Sequence, residues 1–267
     1  VKKAVVSGAA GGLGREVVKA LLNSDFRVIA LDLDISGLEQ LTPDPNLETH
    51  IADVTDPSAV KHLLASLNLD DTGLDLLICL AGSYDTFPVT ERNPADFNRI
   101  MAVNFLSCPA MVSLCLPALV KSRGRVIVVS SESYKIQAMF QPYMISKAAL
   151  EAYCRVAWQE LALKGVALSV IRPGAIRTPL LDWMNRDGGI DPESFFYREF
   201  QASLHRSKKM VGKITPPEKV AAKIIKAATT HKPKRYYHVN NNSLLSLISI
   251  LPNNWIDALI VRKFRRS

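Results

Sequence analysis

The feature that most limits what this chain can fold into is an alternation. Through residue 174, short runs rich in Val, Ile and Leu are separated by stretches of helical periodicity. "KAVVSG" precedes a helical stretch from Leu13 to Asn23, "RVIALD" precedes a short helical piece near Leu38, and "LETHIADV" precedes Ala59 to Leu67. "LDLLICLAG" leads to a helical stretch around Phe97 to Val120, and "RVIVVSS", a helix from Pro142 to Leu163 and "VALSVIRPG" continue the series. Strands that are apolar on both faces belong in a parallel sheet covered by helices on both sides. The alternation therefore predicts an α/β fold with a doubly wound parallel sheet, in one domain spanning residues 1–267. From residue 174 the pattern becomes irregular, and "DGGIDPES" marks a turn before a helix in a C-terminal extension over 174–267.

Composition narrows the class. With 267 residues, 48% of them hydrophobic, the chain can bury a substantial core. No apolar run is read as reaching the roughly 18 residues of a membrane span, and Val1 to Val6 lead directly into a strand pattern rather than a signal peptide. The expectation is a soluble, cytoplasmic protein. Cys79, Cys108, Cys115 and Cys154 sit among apolar neighbours without a Cys-x-x-Cys, and the five histidines form no ligand spacing with them. Reduced core thiols and no metal site are expected.

Charge is unevenly spread. Residues 1–205 carry 19 Lys and Arg against 23 Asp and Glu, whereas residues 206–267 carry 14 against 2. Zinc-finger spacing, RNA-binding aromatic motifs and a basic zipper are all missing from the sequence, so nucleic acid is not the expected partner. An acidic membrane surface or an acidic protein fits the basic last quarter better.

"SGAAGGLG", residues 7–14, follows the first strand and opens the first helix. Gly8, Gly12 and Gly14, with Leu13 between, allow a sharp turn, a close approach of a pyrophosphate to the backbone, and exposure of helix N-terminal amides to its negative charge. At the end of the second strand Asp32 is placed to accept hydrogen bonds from an adenosine ribose and to repel a 2′-phosphate, favouring NAD over NADP. No basic residue is counted within the glycine loop or just after that strand. Asp53 and Val54, after the third strand, could hold the adenine amino group, or Asp53 could be a turn residue before the next helix.

Tyr143 and Lys147 in "QPYMISKAAL" stand four apart, one above the other on a helix. A cation beside a phenol favours phenolate and lowers its pKa from about 10. The same spacing also occurs on ordinary solvated helix faces. Around this pair lie Asn104 in "MAVNFL", the serines of "VIVVSSES" and the Pro-Gly of "VIRPGAIRT".

With these pieces in order, the sequence resembles the short-chain dehydrogenase/reductase family, in its classical branch, continuously over residues 3–180 and more loosely beyond. The resemblance extends in part to retinol- and hydroxysteroid-active members. It implies a Rossmann-type dinucleotide-binding fold and an enzyme that interconverts alcohols and ketones. It implies that Tyr143 exchanges a proton with the substrate oxygen, and that Lys147 lowers the Tyr143 pKa and binds the nicotinamide ribose. A strand-end serine hydrogen-bonds the substrate, and Asn104 distorts its helix to hold a water on a proton path. The 13-residue interval to Tyr143 points to Ser130, alignment on the serine pair points to Ser131, which is preferred, and Ser133 is a third choice. Ala81 and Gly82 line the cofactor's approach, while Leu80 replaces the family's usual Asn and puts local rigidity in doubt. Pro173, Gly174, Ile176 and Thr178 resemble the loop covering the nicotinamide. A homodimer or homotetramer through helices around 107–121 and 142–163 is implied.

Tyr134, Met139, Phe140, Leu180, Leu181 and Trp183, with Tyr84 and Phe87, are the expected pocket lining, unless they belong to the core or a subunit contact. They suit a hydrophobic secondary alcohol or ketone, steroid-, retinoid- or acyl-like. The C-terminal "LLSLISILPNNWIDALIVRKFRRS" joins apolar residues to Arg262, Lys263, Arg265 and Arg266. It could contact an anionic membrane, or form a helix covering the pocket or a neighbouring subunit. Two alternatives of other kinds stay open: a non-catalytic dinucleotide sensor or scaffold, and a ketoreductase of carrier-protein-bound acyl chains.

Overall fold

The computed structural model describes residues 1–39, 41, 43–181, 190–210 and 214–265. Seven strands form one parallel sheet: β1 (Lys2–Ser7), β2 (Phe26–Asp32), β3 (Leu47–Ile51), β4 (Leu76–Cys79), β5 (Arg125–Val129), β6 (Ala167–Pro173) and β7 (Tyr236–Val239). Their order is β3-β2-β1-β4-β5-β6-β7. The order reverses direction at β1, so the crevice between the C-terminal ends of β1 and β4 is the switch point at which such sheets bind ligands.

Helices cover both faces, and local chemistry starts several of them. Helix α1 (Gly12–Leu22) leaves the glycine loop. Helix α2 (Pro57–Ser66) has Pro57 in its first turn and Asp56 as N-cap, accepting from the Ser58 and Ala59 amides. A four-residue turn, α3 (Leu69–Thr72), follows. Asn93 caps α4 (Pro94–Met101) in the same way as Asp56 caps α2. The chain then widens into a π-turn at Ala102–Leu106 and continues as α5 (Ser107–Ser122). Helix α6 (Pro142–Leu163) again begins on a proline. The extension holds α7 (Tyr197–Met210), α8 (Pro217–Thr229), α9 (Ser243–Ile248) and α10 (Asn253–Arg265).

The core has two halves. On one face Val5, Leu77, Val126, Val128 and Val170 pack with Met111, Cys115 and Leu119 of α5 and Leu150 and Leu161 of α6. On the other, Val6, Ile78, Ile127 and Ile171 pack with Val17 and Leu21 of α1 and Val220 and Ile224 of α8. Alternating strand residues thus feed opposite layers, as the both-sided apolar strands require. The four cysteines are buried free thiols.

Three expectations need correction. Among the described residues near Leu38 there are turns and no helix; they follow β2, where Asp34 accepts from the Ser36 amide and breaks the helical course. The seventh strand lies in the stretch read as irregular, because four residues at a sheet edge carry too little periodicity to be recognised. The continuous helix Pro94–Ser122 is long and apolar enough to cross a membrane, contrary to the expected absence of such a run. Its Cys108, Met111, Cys115, Ala118 and Leu119 are buried in the core. These contacts assign that part of its apolar surface to the core.

One ion pair ties α6 to the end of β6. Arg172 donates from Nε and Nη2 to the two carboxylate oxygens of Glu151, at 2.9 and 2.7 Å, with both side chains buried. Its guanidinium is also stacked between Tyr236, at 3.7 Å, and Tyr134, at 4.5 Å. Removing one partner strands a buried charge, whereas removing both does not. Glu151→Leu is therefore expected to destabilise the fold by about 3–5 kcal/mol in urea unfolding, and Glu151→Leu/Arg172→Leu by clearly less. Additive losses in the double variant would contradict the coupling.

Candidate active site

The glycine loop sits at the end of β1 and is crowded from three sides. Gly8 has φ +70°, and a Cβ there would lie 2.7 Å from the Ala81 amide nitrogen. A Cβ on Gly14 would collide with the Gly8 and Ala9 carbonyl oxygens. These two positions need glycine for backbone reasons. Leu13 is half-buried against the α1 side of the core. Gly11, the N-cap of α1, supplies no side-chain acceptor to the first-turn amides. That open helix start, with its positive dipole end, fits a pyrophosphate. Thr178 and Pro179 come over it, within about 3.1 Å of where a Gly12 Cβ would stand.

Asp32 bridges this loop to β2. Its Oδ2 accepts from the Ala10 amide at 2.8 Å and its Oδ1 from the Leu33 amide at 2.8 Å. Beside it, the Ala52 amide donates to the Asp32 carbonyl at 2.8 Å, bringing the end of β3 alongside. There Val54 is buried, and exposed Asp53 accepts from the Thr55 amide and hydroxyl, at 2.8 and 2.7 Å. Asp53 is thus a turn residue in this structure. The glycine loop and the residues just after β2 carry no cation, but Arg15, the next residue in α1, approaches from outside them. It immediately follows Gly14, and its Cδ comes within 3.3 Å of where a Gly37 Cβ would lie.

The other half of the site is built around Asn104, in the π-turn. Its Nδ2 donates to the Ser83 carbonyl at 2.9 Å and to Ser146 Oγ at 3.1 Å, and its Oδ1 accepts from the Ser83 amide at 2.7 Å. Ser146 passes the link to the Tyr143 carbonyl at 2.7 Å. Asn104 therefore holds the chain after β4 and the first turns of α6 in one register. Ser83 and Ser146 carry no motif, and only their contacts reveal them. Leu80, where the family has Asn, packs its side chain into the α1-side core and donates its amide to the Ser7 carbonyl at 3.1 Å. The bracing is supplied from the backbone and from Asn104.

Ala81 and Gly82 connect the halves. Ala81 touches Gly8, whereas a Cβ on Gly82 would stand 3.5 Å from Asn104 Oδ1 and 3.9 Å from Lys147 Nζ. Lys147 is buried, donates to the Val129 carbonyl at 3.2 Å, and stands 5.7 Å from the Tyr143 ring centroid. Tyr84 packs on Tyr143 with ring centroids 5.2 Å apart and donates to Gln141 at 2.8 Å.

Both members of the Tyr143–Lys147 pair are shifted against charge. Burial pushes the Tyr143 phenol up to about 12, opposed by a hydrogen bond with Ser131. Burial pulls Lys147 down to about 8, opposed by nearby Cys108, Cys154, Glu151 and Cys79. Burial dominates the phenol here, and the ammonium lies over the ring rather than among the groups that shift it.

Of the three serines, Ser131 is the one whose side chain acts on the Tyr143 phenol, lowering its pKa against the effect of burial. It also bonds Ser133 Oγ at 3.1 Å. Ser130 Oγ is buried without a hydrogen-bond partner among the described residues. Pro173 ends β6 opposite Val239, and a Cβ on Gly174 would meet the Asn240 carbonyl and Glu132 Oε1. Ile176 bridges to Thr215. Glu132 was not anticipated. It is half-buried, accepts from the Asn242 amide at 2.5 Å, and burial raises its pKa.

The expected lining divides. Phe140, at φ +64°, is buried with Phe200 and Leu204, and its carbonyl accepts from the Phe87 amide at 3.2 Å. Phe140, Phe87 and Leu181 are therefore core residues. Tyr134, Met139 and Leu180 are half-buried, Tyr84 packs on Tyr143, and Trp183 lies outside the described residues. Among the described residues, no three His, Cys, Asp or Glu side chains gather as a metal set.

A profile of the family described as short chain dehydrogenase matches residues 2–188. The chain is 30% identical over 263 residues to a probable short-chain type dehydrogenase/reductase, VdlC, of Helicobacter pylori, covering 96% of this chain and 95% of that protein. It is 27% identical to retinol dehydrogenase 5 of Mus musculus, covering 96% and 86%. Among solved structures, a short-chain dehydrogenase from Streptomyces avermitilis superposes with a TM-score of 0.79 at 22% identity, covering 100% and 97%. A 4-hydroxyisoleucine dehydrogenase complexed with NADH gives 0.72 at 22%, covering 90% and 97%. A short-chain dehydrogenase from Burkholderia cenocepacia in complex with NADP gives 0.74 at 22%, covering 97% of each.

A lysine whose folded pKa is depressed binds fewer protons than the unfolded chain between the two values, so its contribution to stability rises with pH across that window. Lys147→Met is accordingly expected to be more stable than the natural protein at pH 7, by about 3 kcal/mol. The advantage should fade as pH rises from about 8 towards 10.5. Urea unfolding across that range tests it; a pH-independent difference would show that Lys147 is not held by desolvation.

Proposed function

Since the chain belongs to the short-chain dehydrogenase/reductase family and is an oxidoreductase of alcohols or ketones, we propose that it interconverts a hydrophobic secondary alcohol and its ketone with NAD. The observation that carries this reading is the contact made by Ala81 and Gly82. Ala81 touches the glycine loop, and Gly82 adjoins Asn104 and Lys147, so one short segment joins a phosphate cradle to a proton-handling cluster.

The nicotinamide, when bound, supplies or accepts the hydride. The chain's own residues handle the proton. The Ser131 hydroxyl orients the substrate oxygen, and Tyr143 Oη gives that oxygen its proton in reduction or takes it in oxidation. A phenol near 12 is protonated at neutral pH, which suits protonation of a carbonyl undergoing reduction. Lys147 holds the nicotinamide ribose and, while charged, stabilises the phenolate left behind. Asn104 fixes the spacing between Lys147 and Gly82. Pro173, Gly174, Ile176 and Thr178 cover the nicotinamide side, Thr178 from its place over Gly12.

Half-buried Tyr134, Met139 and Leu180, with Tyr84 against Tyr143, favour an apolar substrate of steroid, retinoid or acyl type. Similarity to a protein named retinol dehydrogenase supports the same class. NAD is favoured by Asp32 at the end of β2, because a carboxylate there would repel a 2′-phosphate. A second reading, NADP, is favoured by Arg15 beside the turn after β2. We also infer a homodimer or homotetramer through α5 and α6, supported by exposed Val156 and Leu163 on α6.

Tyr143→Phe is expected to lower kcat on hydrophobic alcohols and ketones by about 100- to 10,000-fold while dinucleotide binding persists. Unchanged turnover would end the assignment. The ratio of kcat/KM with NAD to that with NADP should exceed one and fall on Asp32→Ala; a ratio below one that Arg15→Ala reverses would establish the NADP reading.

A further inference from the structure

Helix α10 has two apolar faces, and the fold uses one of them. Ile256 is buried, Ile260 and Phe264 follow at one-turn intervals and are half-buried, and the Phe264 ring lies 4.5 Å from the Arg206 guanidinium of α7. On the opposite side Trp255 is 61% and Leu259 57% exposed, and exposed Arg262 continues the stripe. Leu247 of α9, at 65%, and Ile250 of the α9–α10 connection, at 77%, add to the exposed apolar surface. Large apolar side chains are thus set in water along a segment whose packing onto its own subunit is already provided.

The charges on the same face select the occupant. Arg262 and Arg265 line a shallow open hollow with Asp257, Ala258 and Val261. Asp257 is the sole acid after Glu218, in a region with 14 Lys and Arg against 2 acids. A symmetric contact between two copies through this face would set Arg262 and Arg265 against their own equivalents, a like-charge cost. An anionic bilayer presents phosphates to the arginines and acyl chains to the apolar residues at the depth a Trp occupies.

We propose that α9 and α10 form a docking face for an anionic lipid bilayer, with Trp255, Leu259, Leu247 and Ile250 entering the headgroup boundary and Arg262 and Arg265 among the phosphates. The face is bonded to the serine segment. Glu132 holds the Asn242 amide at 2.5 Å, and Lys135 donates to Ser246 at 3.4 Å. Docking therefore sets the serine loop near the surface in which an apolar substrate dissolves. The docking itself is independent of the reaction proposed above and is read without substrate.

The test is co-sedimentation of the full chain with phosphatidylcholine vesicles, with and without phosphatidylserine. Brominated lipid reports Trp255 depth by quenching, compared with Trp255→Phe. The expected result is partition onto phosphatidylserine vesicles, weakened by salt, and quenching that is lost in Trp255→Phe. Arg262→Gln/Arg265→Gln should reduce partition about 20- to 30-fold, a factor of about five per charge. Trp255→Ser/Leu259→Ser should reduce it on both vesicle types, with thermal unfolding unchanged in both variants. Equal pelleting of all forms, or no pelleting of the natural protein, overturns the proposal. So does a loss of oligomer mass in sedimentation velocity while vesicle binding is kept, which would make the face a subunit contact.

Discussion

The structure depends on one carboxamide. Asn104 replaces three would-be solvent contacts with bonds to the Ser83 amide, the Ser83 carbonyl and Ser146 Oγ. It can do so because the helix carrying it widens to a π-turn at Ala102–Leu106 and directs the side chain at the chain leaving β4. A buried amide with its donors and acceptor engaged is rigid, because loss of any one bond leaves a polar atom without water. Ala81 and Gly82 precede Ser83, and so the contact between the glycine loop and the Asn104–Lys147 cluster inherits that rigidity. The Leu80 replacement is tolerated for the same reason.

The site is otherwise costly to maintain. A buried lysine, a half-buried phenol and a buried Arg172–Glu151 pair lie on the same side of the sheet, each opposed by desolvation. The packed thiols and the apolar layers of α5 and α6 offset this cost from one side, and the aromatic stack on Arg172 from the other. The extension participates through Glu132 and Lys135, so the last quarter of the chain is structurally continuous with the serine loop.

Much of the fold was legible because periodicity reports burial directly. Strands buried on both faces must be apolar at every position, and this is visible in "RVIALD" or "RVIVVSS" without any structure. β7 was not legible, since its four residues lie at an edge. The glycine loop and the Asn104, Tyr143 and Lys147 positions could be named from spacing and family resemblance. Arg15, Ser83, Gln141 and Glu132 could not, because each becomes relevant through a contact across tens of residues. Phe140 and Phe87 were read as lining because size and apolarity are common to pockets and cores.

The sequence alone determined the layer architecture, the glycine loop at the β1–α1 junction and the Tyr143–Lys147 spacing, since each follows from local pattern and residue type. Tertiary structure decided what those side chains experience. Burial, which depends on what lies across the sheet, drives the phenol up and the ammonium down. It also decided that the Pro94–Ser122 helix uses its apolar face for the core, while Trp255 and Leu259 keep theirs in solvent. Hydrophobicity is a property of a residue, but desolvation is a property of its surroundings, and only the assembled fold specifies those.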